Sequence, residues 1–206
     1  GTVRQQFVMA ESDDNARKRS LKRTLAMTRS GLRRYPRALR ESLRQADSVV
    51  LEGVALEEAA QLEYGASWLG HAGVLLRQGG RTLIADPVLS HRIGLRVGPW
   101  VFGPKRLAPA PVVPDDLPTP DVIVITHAHF DHLDRPTLEQ LASSKTTVVT
   151  ARKTRRLVPR GFGHVIELDW DEEREIEDLK IRALRPSHWG ARMALDRRRG
   201  FNSYLV

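Results

Sequence analysis

An α/β fold is what this sequence predicts, and three observations carry that expectation. Asp121–Thr126 (Asp-Val-Ile-Val-Ile-Thr) is an uninterrupted apolar run with the look of a strand buried on both faces. A short helix over Pro136–Ala142 follows, and a second such run, Thr146–Thr150, comes directly after it. Upstream, Ala66–Leu76 and Arg81–Ala85 are short runs parted by Gln78, Gly79 and Gly80, which signals a hairpin.

The elements follow in chain order. From Ser20 to Leu32 the apolar residues Leu21, Leu25 and Leu32 keep helical spacing amid Arg and Lys, and Leu39 and Leu43 resume the pattern after Pro36. This reads as two short basic amphipathic helices in an N-terminal arm, 1–60, ahead of a body, 61–206. Eight of the 12 prolines lie between Pro87 and Pro120, too many for a helix or a hydrogen-bonded ladder, so an ordered loop or lid is expected there. After the two buried runs come a strand over His164–Asp169, a hairpin through Lys180–Leu184 and a last apolar run, Tyr204–Val206.

Composition narrows the chemistry before any motif does. With 206 residues, 41% hydrophobic and 28% charged, the chain is globular rather than disordered, and no apolar run reaches the 18 residues of a membrane span. Cysteine is absent, which excludes disulfides, thiolate zinc sites, iron–sulfur clusters and cysteine nucleophiles. Any metal is therefore held by His, Asp or Glu. The net charge of +8 is not spread evenly: residues 1–50 hold 12 Lys and Arg against 5 Asp and Glu, whereas the remainder holds 21 against 20. The basicity belongs to the arm, and the nearly neutral body argues against a nucleic-acid partner. Gly1–Ala10 shows no signal-peptide pattern, and a cytoplasmic protein is expected, its arm either a solvated helical pair packed on the body or a contact with a membrane surface or nucleic acid.

The chemistry is concentrated after the first buried strand, in Thr126-His127-Ala128-His129-Phe130-Asp131-His132-Leu133-Asp134. In extended backbone, residues two apart project to one side, so His127 and His129 can converge on a cation, and a turn lets Asp131 and His132 face a second. Imidazole and carboxylate are the ligands zinc accepts when thiolate is lacking. Clustering so many titratable groups without a cation costs free energy.

His-x-His-x-Asp-His directly after a strand resembles the signature of the metallo-β-lactamase superfamily. Around it stand Trp68-Leu69-Gly70-His71-Ala72-Gly73, Asp86-Pro87-Val88-Leu89-Ser90, Gly103-Pro104-Lys105-Arg106, Glu167-Leu168-Asp169-Trp170 and Ser187-His188-Trp189. In that order they resemble the N-acylphosphatidylethanolamine-hydrolysing phospholipase D group and its bacterial relatives, among them ascorbate-6-phosphate lactonase-like proteins. The resemblance covers about Tyr64–Val206 and departs at Gly73, where relatives carry Thr. It implies an αββα sandwich of which this chain supplies the N-terminal half plus the basic helical arm, so the chain is expected to be part of a longer polypeptide.

Residue by residue, the resemblance implies His127, His129 and His188 as ligands of a first zinc ion and Asp131 and His132 as ligands of a second, with an aspartate bridging both ions and a final histidine on the second expected from the half of the fold beyond this chain, two Zn2+ being expected in the intact fold. Asp131 and His71 become candidate catalytic residues, His71 beside the substrate pocket. Asp86 and Asp134 become carboxylates that support the ligands from behind. The activity implied is metal-dependent hydrolysis of a phospholipid-like phosphodiester, with an anionic membrane surface as partner of the arm and a homo-oligomer admitted. A lactonase or phosphorylated-sugar hydrolase, a nucleic-acid hydrolase and an inactive scaffold remain alternatives. Lys105 and Arg106 could meet a phosphate or equally be solvated charge, Trp68, Trp100, Trp170 and Trp189 are expected mostly in the core with Trp100, in the lid, the one placed to touch an acyl chain, and His91 and His164 are expected to be bystanders. No Gly-x-Ser-x-Gly elbow supports Ser67, Ser90 or Ser187 as a nucleophile.

Overall fold

A hairpin turned at left-handed residues begins the body. β1 (Tyr64–Gly70) pairs antiparallel with β2 (Gly73–Gln78), and β3 (Arg81–Ala85) pairs antiparallel with β2 across Gly79 and Gly80. The run 66–76 is thus two strands rather than one. Gly70 (φ 87°), which ends β1, and His71 (φ 51°), the first of the two connecting residues, both adopt positive φ, and only the glycine announces it in sequence. The computed structural model describes residues 62–206 except 99, 107, 194, 195 and 197. These all fall within a compact unit, Asp47–Val206; the arm and the 60/61 boundary lie outside the described residues.

The proline-rich stretch is mostly irregular, but it contains a ladder the sequence reading excluded. β4 (Leu95–Val97) and β5 (Trp100–Phe102) form a small antiparallel hairpin. Its six paired residues lie between the prolines, so their N–H groups are all retained.

β6 (Val122–Ile125), α1 (Arg135–Gln140), β7 (Thr147–Ala151) and β8 (His164–Leu168) carry the parallel part of the sheet. β3 pairs parallel with β6, giving a six-stranded sheet in the order β1-β2-β3-β6-β7-β8. β9 (Glu173–Ile176), β10 (Leu179–Leu184) and β11 (Ser203–Leu205) make a second, antiparallel sheet in the order β11-β10-β9. Alternation along the central strand explains how the two layers meet. Ile123 and Ile125 pack with Leu133, Leu138 and Leu141 at the helix side, while Val122 and Val124 pack with Ile181 and Ala183 of the second sheet. All four residues of β6 are buried, as an apolar run covered on both faces requires.

Candidate metal centre

The loop 126–134 leaves the carboxyl end of β6 beside the carboxyl end of β3, where the ends of parallel strands leave room for a ligand. Asp86, just past β3, fixes the start of the loop. Its Oδ1 accepts from the Thr126 N–H at 2.8 Å and its Oδ2 from the Thr126 hydroxyl at 2.6 Å. From below, Arg192 Nη1 donates to the carbonyls of Ala128 and Leu133, both at 2.9 Å, and its guanidinium lies 4.0 Å from the Phe130 ring centroid. Burial lowers the Arg192 pKa to about 10, so the clamp stays charged at neutral pH. Nothing in the sequence marked this residue.

His127, His129 and His188 come together. The His188 ring centroid lies 4.4 Å from that of His127 and 5.2 Å from that of His129, although 61 residues separate the first pair in sequence. His127 Nε2 stands 2.8 Å from His129 Nδ1 and 2.9 Å from His188 Nε2. The proton positions follow from the neighbours. The Thr126 hydroxyl gives its one proton to Asp86, so the contact of its oxygen with His127 Nδ1, at 2.8 Å, is donated by the histidine. His127 therefore turns a bare Nε2 lone pair inward. One lone pair cannot accept from two rings, so three imidazole nitrogens held this close fit a shared cation better than they fit each other.

Asp131, His132 and His71 form a second group, with ligand atoms within 4.8 Å of one another. Asp131 Oδ2 is 3.1 Å from His71 Nε2 and 4.0 Å from His132 Nε2. His132 donates from Nδ1 to Asp86 Oδ2 at 2.7 Å, which aims its Nε2 at Asp131. Two ligands of one tetrahedral zinc, each at about 2.1 Å, are about 3.4 Å apart, so these spacings also suit a small divalent ion. Asp86 holds φ 40° and His71 φ 51°, conformations that most residues avoid. Strain at two residues facing the same loop is where function is expected to concentrate.

Burial chiefly, and the neighbouring rings His132, His129 and His188, depress the His127 pKa from 6.5 to about 3. His129 is lowered as well, mainly by burial. His132 is raised, because its bond to Asp86 and the charges of Asp86 and Asp131 outweigh its burial. Asp131 is lowered: burial pushes it up, but His132, its own backbone N–H and His71 overcome that. A depressed histidine stabilises the folded state fully above its unfolded pKa and loses that contribution as pH falls towards the folded value. In chelator, His127 alone therefore removes about 2 kcal/mol between pH 7 and pH 5. His129 adds to that loss, while His132, shifted the other way, offsets part of it. The urea midpoint of the metal-stripped chain is expected to fall at pH 5, and an unchanged midpoint contradicts the assignment.

Not every predicted residue reaches the centre. The hydrogen bonds of Asp134 run from its Oδ2 to the Ser90 N–H (3.1 Å) and the Thr137 hydroxyl (2.6 Å), so it joins the lid to α1 instead of supporting a ligand histidine. Arg106 donates to the carbonyls of Val88 and Ala108, which holds its guanidinium against the lid while it also lines the cavity beside the second group, and burial lowers its pKa. His91 and His164 are exposed. Of the tryptophans expected in the core, Trp68, Trp100 and Trp189 are 59%, 70% and 43% exposed, since the first lies on an edge strand and the second on the lid hairpin. Trp189 instead packs its edge against His129, centroids 4.5 Å apart, a neighbour that only its adjacency to His188 could have suggested. At Gly73 a Cβ would lie 3.1 Å from the Gly70 carbonyl oxygen and 3.2 Å from Leu69 Cβ, so the turn closes over bare backbone. Beside the second group a cavity of about 300 Å³ is lined by Trp68, His71, Ile93, Arg106 and Pro109.

A family profile described as the Beta-lactamase superfamily domain matches residues 81–206. An uncharacterized protein of Mycobacterium tuberculosis is 34% identical over 137 residues, which is 61% of this chain and 34% of that one. N-acyl-phosphatidylethanolamine-hydrolyzing phospholipase D 1 of Caenorhabditis elegans is 31% identical over 139 residues, 62% of this chain and 38% of that one. A metal-dependent hydrolase of Aeropyrum pernix is 40% identical over 67 residues, 32% of this chain and 21% of that one. The match thus spans about a third of the length of the first two relatives.

Proposed function

We propose, from the premise that the chain belongs to the metallo-β-lactamase superfamily, that it is a metal-dependent hydrolase, specifically a zinc phosphodiesterase acting on N-acylphosphatidylethanolamine-like lipids. The observation that carries the reading is the convergence of His127, His129 and His188 from two distant parts of the chain. His127, His129 and His188 would hold one ion, Asp131 and His132 another. Zinc held there would lower the pKa of a water towards about 7 and neutralise charge on a phosphoryl oxygen.

The protein's own part is orientation and exclusion. Asp86, through Thr126, keeps the proton of His127 on Nδ1, and directly it keeps the proton of His132 on Nδ1. Each ring thereby presents Nε2. The Arg192 clamp holds the loop between them at fixed length. The 300 Å³ cavity, lined largely by apolar surface, receives the part of the substrate that does not react. The similarity to the C. elegans phospholipase supports a lipid phosphodiester, and the basic sequence of the arm suits an anionic bilayer surface.

The test is turnover of N-acylphosphatidylethanolamine in vesicles before and after chelation. Release of phosphatidic acid is expected to fall more than about 100-fold in chelator and to return with zinc. Metal-dependent turnover of a lactone or of RNA, with none of the lipid, would replace the substrate. No metal-dependent turnover of any of them would reduce the chain to a scaffold.

A further inference from the structure

Resting on the lipid-phosphodiester reading, we propose that the β4–β5 hairpin docks this chain on an anionic bilayer. Its apolar face enters the boundary between headgroups and acyl chains and sets the cavity at its base against the lipid.

Leu95 stands opposite Phe102 and Val97 opposite Trp100, so alternation brings all four side chains to one face of the ribbon. They are between 44% and 70% exposed. Arg96, between the two aliphatics and on the other face, reaches Glu139 of α1 at 2.8 Å. A ribbon that ties down its charge and leaves its apolar face to solvent reverses the usual order, and a contiguous apolar patch of this kind marks an interaction surface. The hairpin is also anchored. Below it the Ile93 N–H donates to the Pro104 carbonyl and the Arg106 N–H to the His91 carbonyl, both at 3.0 Å. At Gly94 and Gly103 the backbones run so close that a Cβ on either would collide with the opposite strand. Ile93, Lys105 and Arg106 at this base form one wall of the cavity that Trp68 and His71 also line.

Charge identifies the occupant. From Pro87 to Pro114 the sequence carries Arg92, Arg96, Lys105 and Arg106 and no Asp or Glu, within a body where basic and acidic residues otherwise balance. Lys105 lies three residues past Phe102, about 10 Å in extended backbone, and an interfacial segment sinks its apolar face about 5–10 Å. The cations at the base therefore stand level with lipid phosphates when Trp100 and Phe102 reach the acyl boundary, and each adds attraction to an anionic leaflet. An apolar tip above a cationic base fits a leaflet, with its layers of charge and hydrocarbon, better than it fits the apolar centre and polar rim of a protein interface.

Because the chain has no cysteine, a label can be placed at one residue. Val97→Cys carries an environment-sensitive fluorophore on the apolar face, and Glu175→Cys carries it on exposed β9 of the second sheet as the control. With vesicles of equal parts phosphatidylcholine and phosphatidylglycerol, the label at 97 is expected to shift to the blue and to be quenched by brominated acyl chains, while the label at 175 does neither. Vesicles of phosphatidylcholine alone should give a weaker response. Replacing the two aromatics together, Trp100→Ser with Phe102→Ser, should weaken vesicle binding more than about tenfold with the urea midpoint unchanged, since both side chains are exposed. A label at 97 that stays in water while the chain binds vesicles assigns docking to the arm and overturns the proposal. So does a label already shielded from iodide before vesicles are added, which means that the chain itself covers this face or, where dilution removes the shielding, that a second copy does. Insertion at 97 without metal-dependent turnover of the lipid upholds the docking and overturns the phosphodiester reading beneath it.

Discussion

His127→Ala is expected to abolish binding of the first divalent ion and all metal-dependent turnover. His127 is 4% exposed and its Nε2 is the atom on which both other rings of the group converge. Without it the remaining pair is His129 Nδ1 and His188 Nε2, and two neutral nitrogens do not make a zinc site. Affinity for the first ion should drop by more than about 100-fold, beyond the loss typical of a supporting residue. His164→Ala, on the exposed start of β8, should leave metal content and turnover unchanged. Elemental analysis and a chelator titration of both variants check this, and equal losses in the two would mean that the ligands are elsewhere.

Asp86→Ala should unfold a large fraction of the metal-free chain's stability. Its carboxylate, 3% exposed, serves the Thr126 N–H, the Thr126 hydroxyl and His132 Nδ1, and truncation strands all three in or near the core. Alanine must also adopt φ 40°, so the combined loss is expected to reach about 3–5 kcal/mol, against a total of about 5–15 kcal/mol for a domain. Asp86→Asn separates stability from chemistry. It keeps the shape and one acceptor but turns an NH2 group towards groups that need to donate, so His132 loses its fixed proton. The second ion should weaken about 10- to 100-fold while the first is held as before. Urea unfolding and metal titration report the two effects, and a loss below about 1 kcal/mol for Asp86→Ala would refute the network.

Some of this centre was legible in the sequence because its geometry is local. His127, His129, Asp131 and His132 lie within six residues after a strand that buries itself by composition alone, and alternation of side chains does the rest. His188 was reached only through resemblance, since no short-range rule joins residues 61 apart. Arg192 was missed because an arginine in a polar stretch resembles any solvated charge until its carbonyl partners are known. Asp134 was misread for the reverse reason: its side chain looked available in sequence, but the Ser90 N–H of the lid and the Thr137 hydroxyl of α1 claim it. The β1–β2 turn stayed hidden because His71 is a non-glycine at positive φ, and the exposed tryptophans because edge position is a property of the sheet and not of the strand.

The excursion between β10 and β11 brings His188 and Arg192 back onto the loop after β6, and this return gives the cation a mechanical role beside its chemical one. An ion shared by residues 127 and 188 staples a loop of 61 residues much as a covalent crosslink would, restricting the unfolded chain by about 4 kcal/mol of closure entropy. An ion bound there would add to the apolar packing that already joins the two sheets, so loss of the ion would loosen this edge where it would also silence the chemistry.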